Sequence, residues 1–220
     1  MEKAPHYPSY KDFDPFIDVA RLKALDPYIR ERLERRIGSS VDLAFYTGPF
    51  LLSEEAKPLP GSSMVYLSRS SRPENYYDLD RIDLWSPSPE SEEFPELMDF
   101  IATLPFKATA RMLIIYDPSG RAVTAHRDHD SRDICHEFIW FRTNLDKPFY
   151  MLDPKSGVKL YVTSHSAWFD TVNQFHGADE SGGLSFSIRV DGVFTDEFRA
   201  QIAFPEDNRA SAPSLWAAAG

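Results

Sequence analysis

The densest group of potential metal ligands in the chain lies in the segment TAHRDHDSRDICHEF, residues 124–138. Within it, His126 and Asp128 are two residues apart. Side chains at positions i and i+2 of a strand point to the same face, so one imidazole and one carboxylate would project together. A His-x-Asp tripeptide is a weak signal by itself, because such tripeptides also occur by chance in polar loops.

A third ligand is predicted at His176, in the sequence NQFHG, 50 residues after His126. Two histidines and one carboxylate on one face of a metal ion leave the opposite positions open. This arrangement suits Fe(II) that must bind a cosubstrate and oxygen together. We therefore predict that His126, Asp128 and His176 are the metal ligands and the catalytic residues.

A cation that binds a carboxylate is predicted at Arg189, 13 residues after His176. In the segment SFSIRVDG, Ser187 and Arg189 would share one face of a strand, and the apolar residues between them the other. A guanidinium at the floor of a barrel can hold a carboxylate through two parallel hydrogen bonds. Arg142, which shares strand parity with His136, is the reserve candidate for this role.

The order of these residues resembles that of the Fe(II)/2-oxoglutarate-dependent oxygenases over roughly residues 110–195. Within that superfamily the chain is most similar to the aspartyl/asparaginyl β-hydroxylase group, itself similar to bacterial proline hydroxylases. The sequence CHEFIW resembles that group's strand with a histidine about ten residues after the first ligand.

The resemblance implies a double-stranded β-helix that uses Fe(II), 2-oxoglutarate as cosubstrate and O2. It implies that the predicted metal ligands bind iron and that Arg189 anchors the far carboxylate of 2-oxoglutarate. It also implies that His136 contacts that carboxylate.

Two other kinds of site use some of the same residues. The tripeptide HRD at 126–128 matches part of a protein-kinase catalytic loop, but that loop needs an asparagine where Asp133 stands, and no glycine-rich phosphate loop precedes it. A hydrolytic zinc site would also accept two histidines and an aspartate. It would leave Arg189 and the strand of His136 without a role.

The predicted function is therefore oxidation, such as hydroxylation, of an unactivated C–H bond in a small molecule. A free amino acid or an amino-acid-derived metabolite is the expected substrate. The alternatives are hydroxylation of a peptide or protein side chain and, in a different class, a zinc-bound or non-catalytic ligand-binding barrel.

The elements that position these residues are predicted to be mainly β, with flanking helices, and to form a jelly-roll or cupin-like barrel. Asp-Pro pairs begin helices at about 15–25 and 27–37, and a third helix is predicted at about 91–103. Strands are predicted at 41–47, 63–68, 111–116, 122–126, 136–143, 158–163, 166–171 and 184–194. The stretches 54–62 and 69–90 are predicted as loops, the second a candidate lid.

A single oxygenase domain is predicted over residues 1–205. Its amino-terminal helices lie at about 15–37 and its β-helix core at about 110–195. The tail at 206–220 is rich in polar and small residues and is predicted to be flexible.

Composition narrows the range of partners and compartments. The net charge is -10 and the pI about 5.1, which argues against a nucleic-acid partner. Cys135 is the single cysteine, so no intrachain disulfide can form and a reducing compartment is expected. The sequence shows neither a signal peptide nor a run of about 18 apolar residues. We expect a cytoplasmic protein without a membrane partner.

Overall fold

The computed structural model describes residues 8–37, 63–72, 79, 81–128 and 137–202. The predicted strand 41–47, the predicted loop 54–62, His136 and the tail 206–220 lie outside the described residues.

Antiparallel strands form the body of the described structure. They are β1 Lys11–Asp12, β2 Ser63–Tyr66, β3 Ser68–Ser70, β4 Trp85–Pro87, β5 Phe106–Asp117, β6 Val123–His126, β7 Phe138–Phe141, β8 Phe149–Leu152, β9 Lys159–Tyr161, β10 Ser166–Trp168, β11 Phe175–Ala178 and β12 Ser185–Phe194. The larger sheet has the order β1-β10-β7-β12-β5-β2, and the smaller has the order β6-β11-β8-β9. β3 and β4 form a separate pair.

From β5 to β12 the chain passes repeatedly between the two sheets. β5, β7, β10 and β12 belong to the larger sheet, whereas β6, β8, β9 and β11 belong to the smaller one. Eight antiparallel strands wound through two sheets in this way form a double-stranded β-helix, the jelly-roll architecture. The predicted fold class is therefore confirmed.

Two strands of the smaller sheet, β8 and β11, are not predicted by the sequence patterns. Their sequences, FYML and FHGA, show no strict alternation of apolar and polar residues. The two strands pair with each other from Phe175↔Leu152 to Ala178↔Phe149. Their strand conformation depends on this long-range pairing, which local patterns do not reveal.

The helices are α1 Val19–Ala24, α2 Asp26–Ile37, α3 Pro95–Ile101 and α4 Asp196–Gln201, with short 3-10 helices at Asp14–Phe16, Ile82–Leu84 and Pro89–Glu93. No helix among these described segments is long and apolar enough to cross a membrane.

The predicted start of the first helix at Asp14 is wrong. The Asp14 carboxylate accepts hydrogen bonds from the backbone N–H groups of His165 (2.9 Å) and Ser166 (2.7 Å) and from the Ser166 hydroxyl (2.8 Å). It therefore binds the start of β10 and does not cap a helix. α1 begins after Asp18, whose side chain accepts from the N–H of Arg21 at 2.9 Å.

The third helix is shorter than predicted, and the predicted loop 69–90 is partly regular. Phe94 has φ −126° and ψ 47°, which separates the 3-10 helix from α3. The helical conformation is disfavoured in a residue that precedes proline, and Pro95 follows. Within the predicted loop, β3 and β4 pair at Arg69↔Ser86, so this range is not one continuous lid.

The helices and the larger sheet share one apolar core. Leu22 of α1, Leu33 of α2 and Phe100 of α3 are fully buried in the same cluster as Ile114 of β5 and Phe141 of β7. Because neighbouring side chains of a strand point to opposite faces, residues of the other parity are free to face away from this core.

That other face of the larger sheet lines a cavity. On β12, Ser187 and Arg189 line the cavity and flank the core residue Ile188, and Phe186 also lines it. β5 contributes Ile115, Tyr116 and Asp117, and β7 contributes Phe138 and Trp140. Strand parity therefore accounts for Ser187 and Arg189 but not for every lining residue.

Candidate metal centre

Two neighbouring strands of the smaller sheet bring the predicted histidine ligands together. His126, the last residue of β6, is the register partner of His176 on β11. Their ring centroids are 4.6 Å apart. Directly opposite residues of an antiparallel pair lie within about 5.5 Å, so the pairing of these strands is sufficient to bring the two imidazoles together.

Asp128 lies two residues beyond the end of β6. The i, i+2 spacing predicts a position on the same strand as His126, and this part of the prediction is wrong. Its backbone N–H donates to the carbonyl of Thr171 at 2.8 Å. Its Oδ1 is 3.6 Å from Nε2 of His176 and 3.9 Å from Nε2 of His126. One ligand atom from each of the three residues lies within 4.8 Å of the others. The structure thus brings together all three residues that the sequence predicts as ligands.

The imidazoles are oriented for metal binding by the main chain. Nδ1 of His126 is 2.8 Å from the carbonyl oxygen of Thr124, and Nδ1 of His176 is 3.2 Å from that of Gln174. A carbonyl oxygen can only accept, so each Nδ1 carries a proton and each Nε2 can present a lone pair. Two imidazole nitrogens and one carboxylate oxygen fit iron(II) and also zinc.

The carboxyl group of Asp128 is ionised at neutral pH. Burial alone would raise its pKa, but the adjacent His176 imidazole, 3.6 Å away, and the charge of Arg189 outweigh burial and hold the pKa of Asp128 well below its usual range. The carboxylate is therefore available as an anionic ligand.

The predicted carboxylate-binding cation, Arg189, lies beside this aspartate. Nη1 of Arg189 is 3.4 Å from Oδ2 of Asp128. Nε and Nη2 are 2.9 Å and 2.8 Å from Oδ1 of Asp191, and the guanidinium lies 4.0 Å from the ring centroid of Phe138. Arg189 therefore already has an acidic partner on each side.

Asp191 and Arg111 belong to the same buried network, and sequence reasoning missed both. Asp191 is fully buried, and its Oδ2 accepts from Nε of Arg111 at 3.0 Å. Asp191 could have been found, because it follows Arg189 at i+2 and so shares its strand face. Arg111 lies 80 residues away, and only the pairing of β5 with β12 brings it near.

The cavity beside the metal residues has a volume of about 730 Å³. Small-molecule sites typically measure about 300–1,000 Å³. Aromatic side chains dominate the wall near His176: the ring centroids of Phe169 and Phe149 are 5.5 Å and 6.0 Å from its imidazole. Trp140, Phe138, Phe175 and Phe186 also line the cavity.

A second charged group lines the cavity away from the metal residues. Nζ of Lys147 is 2.9 Å from Oδ2 of Asp117. Asp117 opposes Ser185 on β12, four residues from Arg189. At about 3.3 Å per residue, the backbone of Ser185 lies about 13 Å from that of Arg189 along the strand. Sequence reasoning missed Lys147 and Asp117, which are 30 residues apart.

Arg142, the reserve cation, is buried next to this group. Its Nη1 donates to the carbonyl of Lys147 at 2.8 Å, and its Nη2 donates to the carbonyls of Val162 and Ser164. Burial lowers the pKa of Arg142 to about 10, so it remains charged at neutral pH. Among the residues that the structure describes, no carboxylate forms an ion pair with Arg142, and its Nε has no hydrogen-bond partner. The group thus has two cations and one carboxylate.

No family model matches the chain, and no curated protein is similar to it. Solved structures that it resembles include a prolyl-4-hydroxylase from Pseudomonas putida, 12% identical, with a TM-score of 0.44 over 85% of this chain and 92% of that one. A prolyl hydroxylase from Trichoplax adhaerens, in complex with a hypoxia inducible factor peptide fragment, is 11% identical, with a TM-score of 0.39 over 76% of this chain and 83% of that one. A cupin domain from Bordetella pertussis is 10% identical, with a TM-score of 0.27 over 39% of this chain and 82% of that one. Structural similarities with identities and TM-scores this low do not indicate an activity.

Proposed function

We propose that this protein is a non-haem iron(II) oxygenase that uses 2-oxoglutarate and oxygen to hydroxylate an unactivated C–H bond of a small molecule. The observation that carries the proposal is the convergence of His126, Asp128 and His176, with ligand atoms within 4.8 Å, at the wall of a cavity of about 730 Å³.

The two Nε2 atoms and the Asp128 carboxylate would hold the metal. Three protein ligands leave positions for small ligands, as an oxygenase requires. When bound, iron(II) together with 2-oxoglutarate and oxygen supplies an oxidant strong enough for an unactivated C–H bond. The contribution of the protein is to fix the donor set through the main-chain bonds to Nδ1 and to place aromatic side chains beside His176.

The site for the far carboxylate of 2-oxoglutarate has two candidate arginines. Arg189, which the resemblance implies, is already paired with Asp191 and contacts Asp128. Arg142, by contrast, donates its hydrogen bonds to carbonyl oxygens and forms no ion pair in the described part of the chain, and it adjoins Lys147. A buried charge without a counter-charge is costly, so this end of the cavity favours an anionic ligand. We infer that Arg142 and Lys147 bind the far carboxylate.

The substrate that the site supports best is a small molecule with an apolar part. An amino acid or an amino-acid-derived metabolite remains the expected class, and the aromatic wall near His176 would contact its apolar portion. Hydroxylation of a peptide side chain is the alternative within the same chemistry.

The test is anaerobic addition of Fe(II) and then 2-oxoglutarate to the protein. We expect a weak visible charge-transfer band that appears only when both are present, and succinate release after oxygen is admitted. The His176→Ala variant is the control and should show neither signal. A protein that binds zinc tightly and never develops the band with iron would instead support the hydrolytic or ligand-binding alternative. Candidate amino acids and peptides can then be compared by how strongly each stimulates succinate release.

A further inference from the structure

Four charged side chains, Arg111, Asp191, Arg189 and Asp128, form a continuous network that ends at the candidate metal centre. Arg111 donates to Asp191, Asp191 accepts from Arg189, and Arg189 contacts Asp128, at distances between 2.8 Å and 3.4 Å. Positive and negative charges alternate along this network. Asp191 is fully buried, and Arg189 and Arg111 are buried almost as completely.

We propose that Asp191 is a positioning residue for the metal centre: it holds Arg189 and neutralises its charge, and so limits how strongly Arg189 competes with a metal ion for Asp128. The inference rests on the proposed metal site but requires neither the proposed cosubstrate nor the proposed reaction.

The contacts of the guanidinium fix its orientation. The Nε and Nη2 groups of Arg189 both point to Oδ1 of Asp191, and the ring of Phe138 lies 4.0 Å from the guanidinium carbon. A planar guanidinium held along one edge and stacked on a ring has little freedom to turn. Its remaining nitrogen, Nη1, is therefore directed to Asp128 at 3.4 Å. This separation is longer than the 2.7–2.9 Å of a strong charge-assisted hydrogen bond.

The same geometry divides the two oxygens of Asp128 between different partners. Oδ2 faces Arg189, whereas Oδ1 faces the Nε2 atoms of both histidines. A weak contact at Oδ2 orients the carboxylate and leaves Oδ1 available to a metal ion. If Arg189 lost Asp191, it would be drawn more tightly to Asp128, and its uncompensated charge would repel a divalent cation. Both effects would weaken metal binding.

Arg111 offers a matched control, because its Nε donates a charged hydrogen bond to the same carboxylate. If Asp191 acts only by stabilising the fold, removing Arg111 and removing Asp191 should change metal affinity in the same direction. If Asp191 acts through Arg189, Arg111→Gln removes a cation that competes with Arg189 for Asp191. Metal affinity should then be unchanged or higher.

The experiment is calorimetric titration of the full-length chain with Co(II), with circular dichroism as a check of folding. We expect Asp191→Asn to raise the Co(II) dissociation constant about 10- to 100-fold, as for other groups that orient metal ligands. Arg111→Gln should leave it within about twofold or lower it. The double variant Arg189→Gln/Asp191→Asn should bind Co(II) about as well as Arg189→Gln alone. The visible spectrum of bound Co(II) should change in Asp191→Asn and not in Arg111→Gln.

Asp191→Asn leaves two buried arginines with less negative charge and so could fail to fold. The charge-balanced variant Arg111→Gln/Asp191→Asn removes one cation with the anion, and it should show the same loss of Co(II) affinity. Wild-type affinity in this variant, or equal losses in Asp191→Asn and Arg111→Gln, would overturn the inference.

A measurement without metal separates this inference from the proposed function. In the metal-free chain, the shifts in Tm caused by Asp191→Asn and Asp128→Asn should be non-additive, because both residues contact Arg189. They should become additive in an Arg189→Gln background. Absence of Co(II) binding by the unaltered chain would refute the proposed metal site, whereas additivity in both backgrounds would refute the link through Arg189.

Discussion

His126 and His176 face each other across neighbouring antiparallel strands, with ring centroids 4.6 Å apart and both Nδ1 atoms directed to carbonyl oxygens two residues earlier in the chain. The Nε2 atom of each histidine therefore faces the carboxylate of Asp128, which lies two residues after the end of β6. This pairing of β6 with β11 creates the candidate site.

His126→Ala or His176→Ala is expected to abolish Fe(II) binding and succinate release while the chain remains folded. Ligands of an open metal site contribute less to folding than those of a closed structural site. His165→Ala is the control, because His165 contacts the Arg142 carbonyl at 3.0 Å and lies outside the ligand cluster. Metal analysis and circular dichroism together check the prediction. Full turnover by either variant would show that the replaced histidine is not a ligand.

Lys147→Met is expected to raise the KM for 2-oxoglutarate. Loss of a half-buried cation that faces a carboxylate costs about 2 kcal/mol, which corresponds to about 30-fold in KM. Asp117→Asn is the matched change of opposite sign: it removes the carboxylate that neutralises Lys147, so KM should stay constant or fall. Steady-state kinetics at varied 2-oxoglutarate checks both. A large rise in Arg189→Met but not in Lys147→Met would return the role to the arginine that the family resemblance implies.

The pH dependence of stability should reveal the buried ion pair of Asp117. Burial alone would raise its pKa, but hydrogen bonds from Lys147 and Ser119 outweigh burial and lower the pKa of Asp117 below its ordinary value of 3.8. A carboxyl group with a lowered folded-state pKa contributes stability that is complete above its unfolded-state pKa and is lost as the pH falls through its folded-state pKa.

We therefore expect the unfolding free energy of Asp117→Asn to be lower than that of the unaltered chain by a constant amount between about pH 5 and pH 7. The difference should shrink below about pH 4. Urea unfolding at a series of pH values measures it. A difference that persists undiminished to pH 2 would show that the ion pair does not explain the effect.

Gly177→Ala is expected to lower both Tm and metal affinity. A Cβ at this position would lie 2.7 Å from the carbonyl oxygen of Val123 and 2.8 Å from the hydroxyl oxygen of Tyr150, so β6 and β8 would have to move apart around His176. Overpacking of this kind typically costs about 1–3 kcal/mol. Gly182→Ala is the control, because nothing lies within 4 Å of its Cβ position. Equal effects of the two substitutions would contradict this account.

The residues of the candidate site could be proposed from the sequence because each has a local signature. His126 and Asp128 are two residues apart at the end of an alternating segment. His176 lies in a second segment, NQFHG, 50 residues after His126. Asp128 lies beyond its strand, and its backbone hydrogen bond to Thr171 keeps it near both histidines. The alternation of β5 and β12 likewise indicates the antiparallel barrel that the structure confirms.

Other features depend on pairings between distant residues, which no local pattern encodes. Asp14 has the sequence signature of a helix cap, yet it binds the backbone at residues 165–166 because the fold places β10 beside it. The register of β12 against β5 likewise brings Arg111 to Asp191, and the loop before β8 brings Lys147 to Asp117. A sequence determines which side chains can carry charge or bind a metal and which strand face they share. Only the tertiary structure decides which charges meet, because in a buried site the stability of each charge depends on the neighbour that the fold supplies.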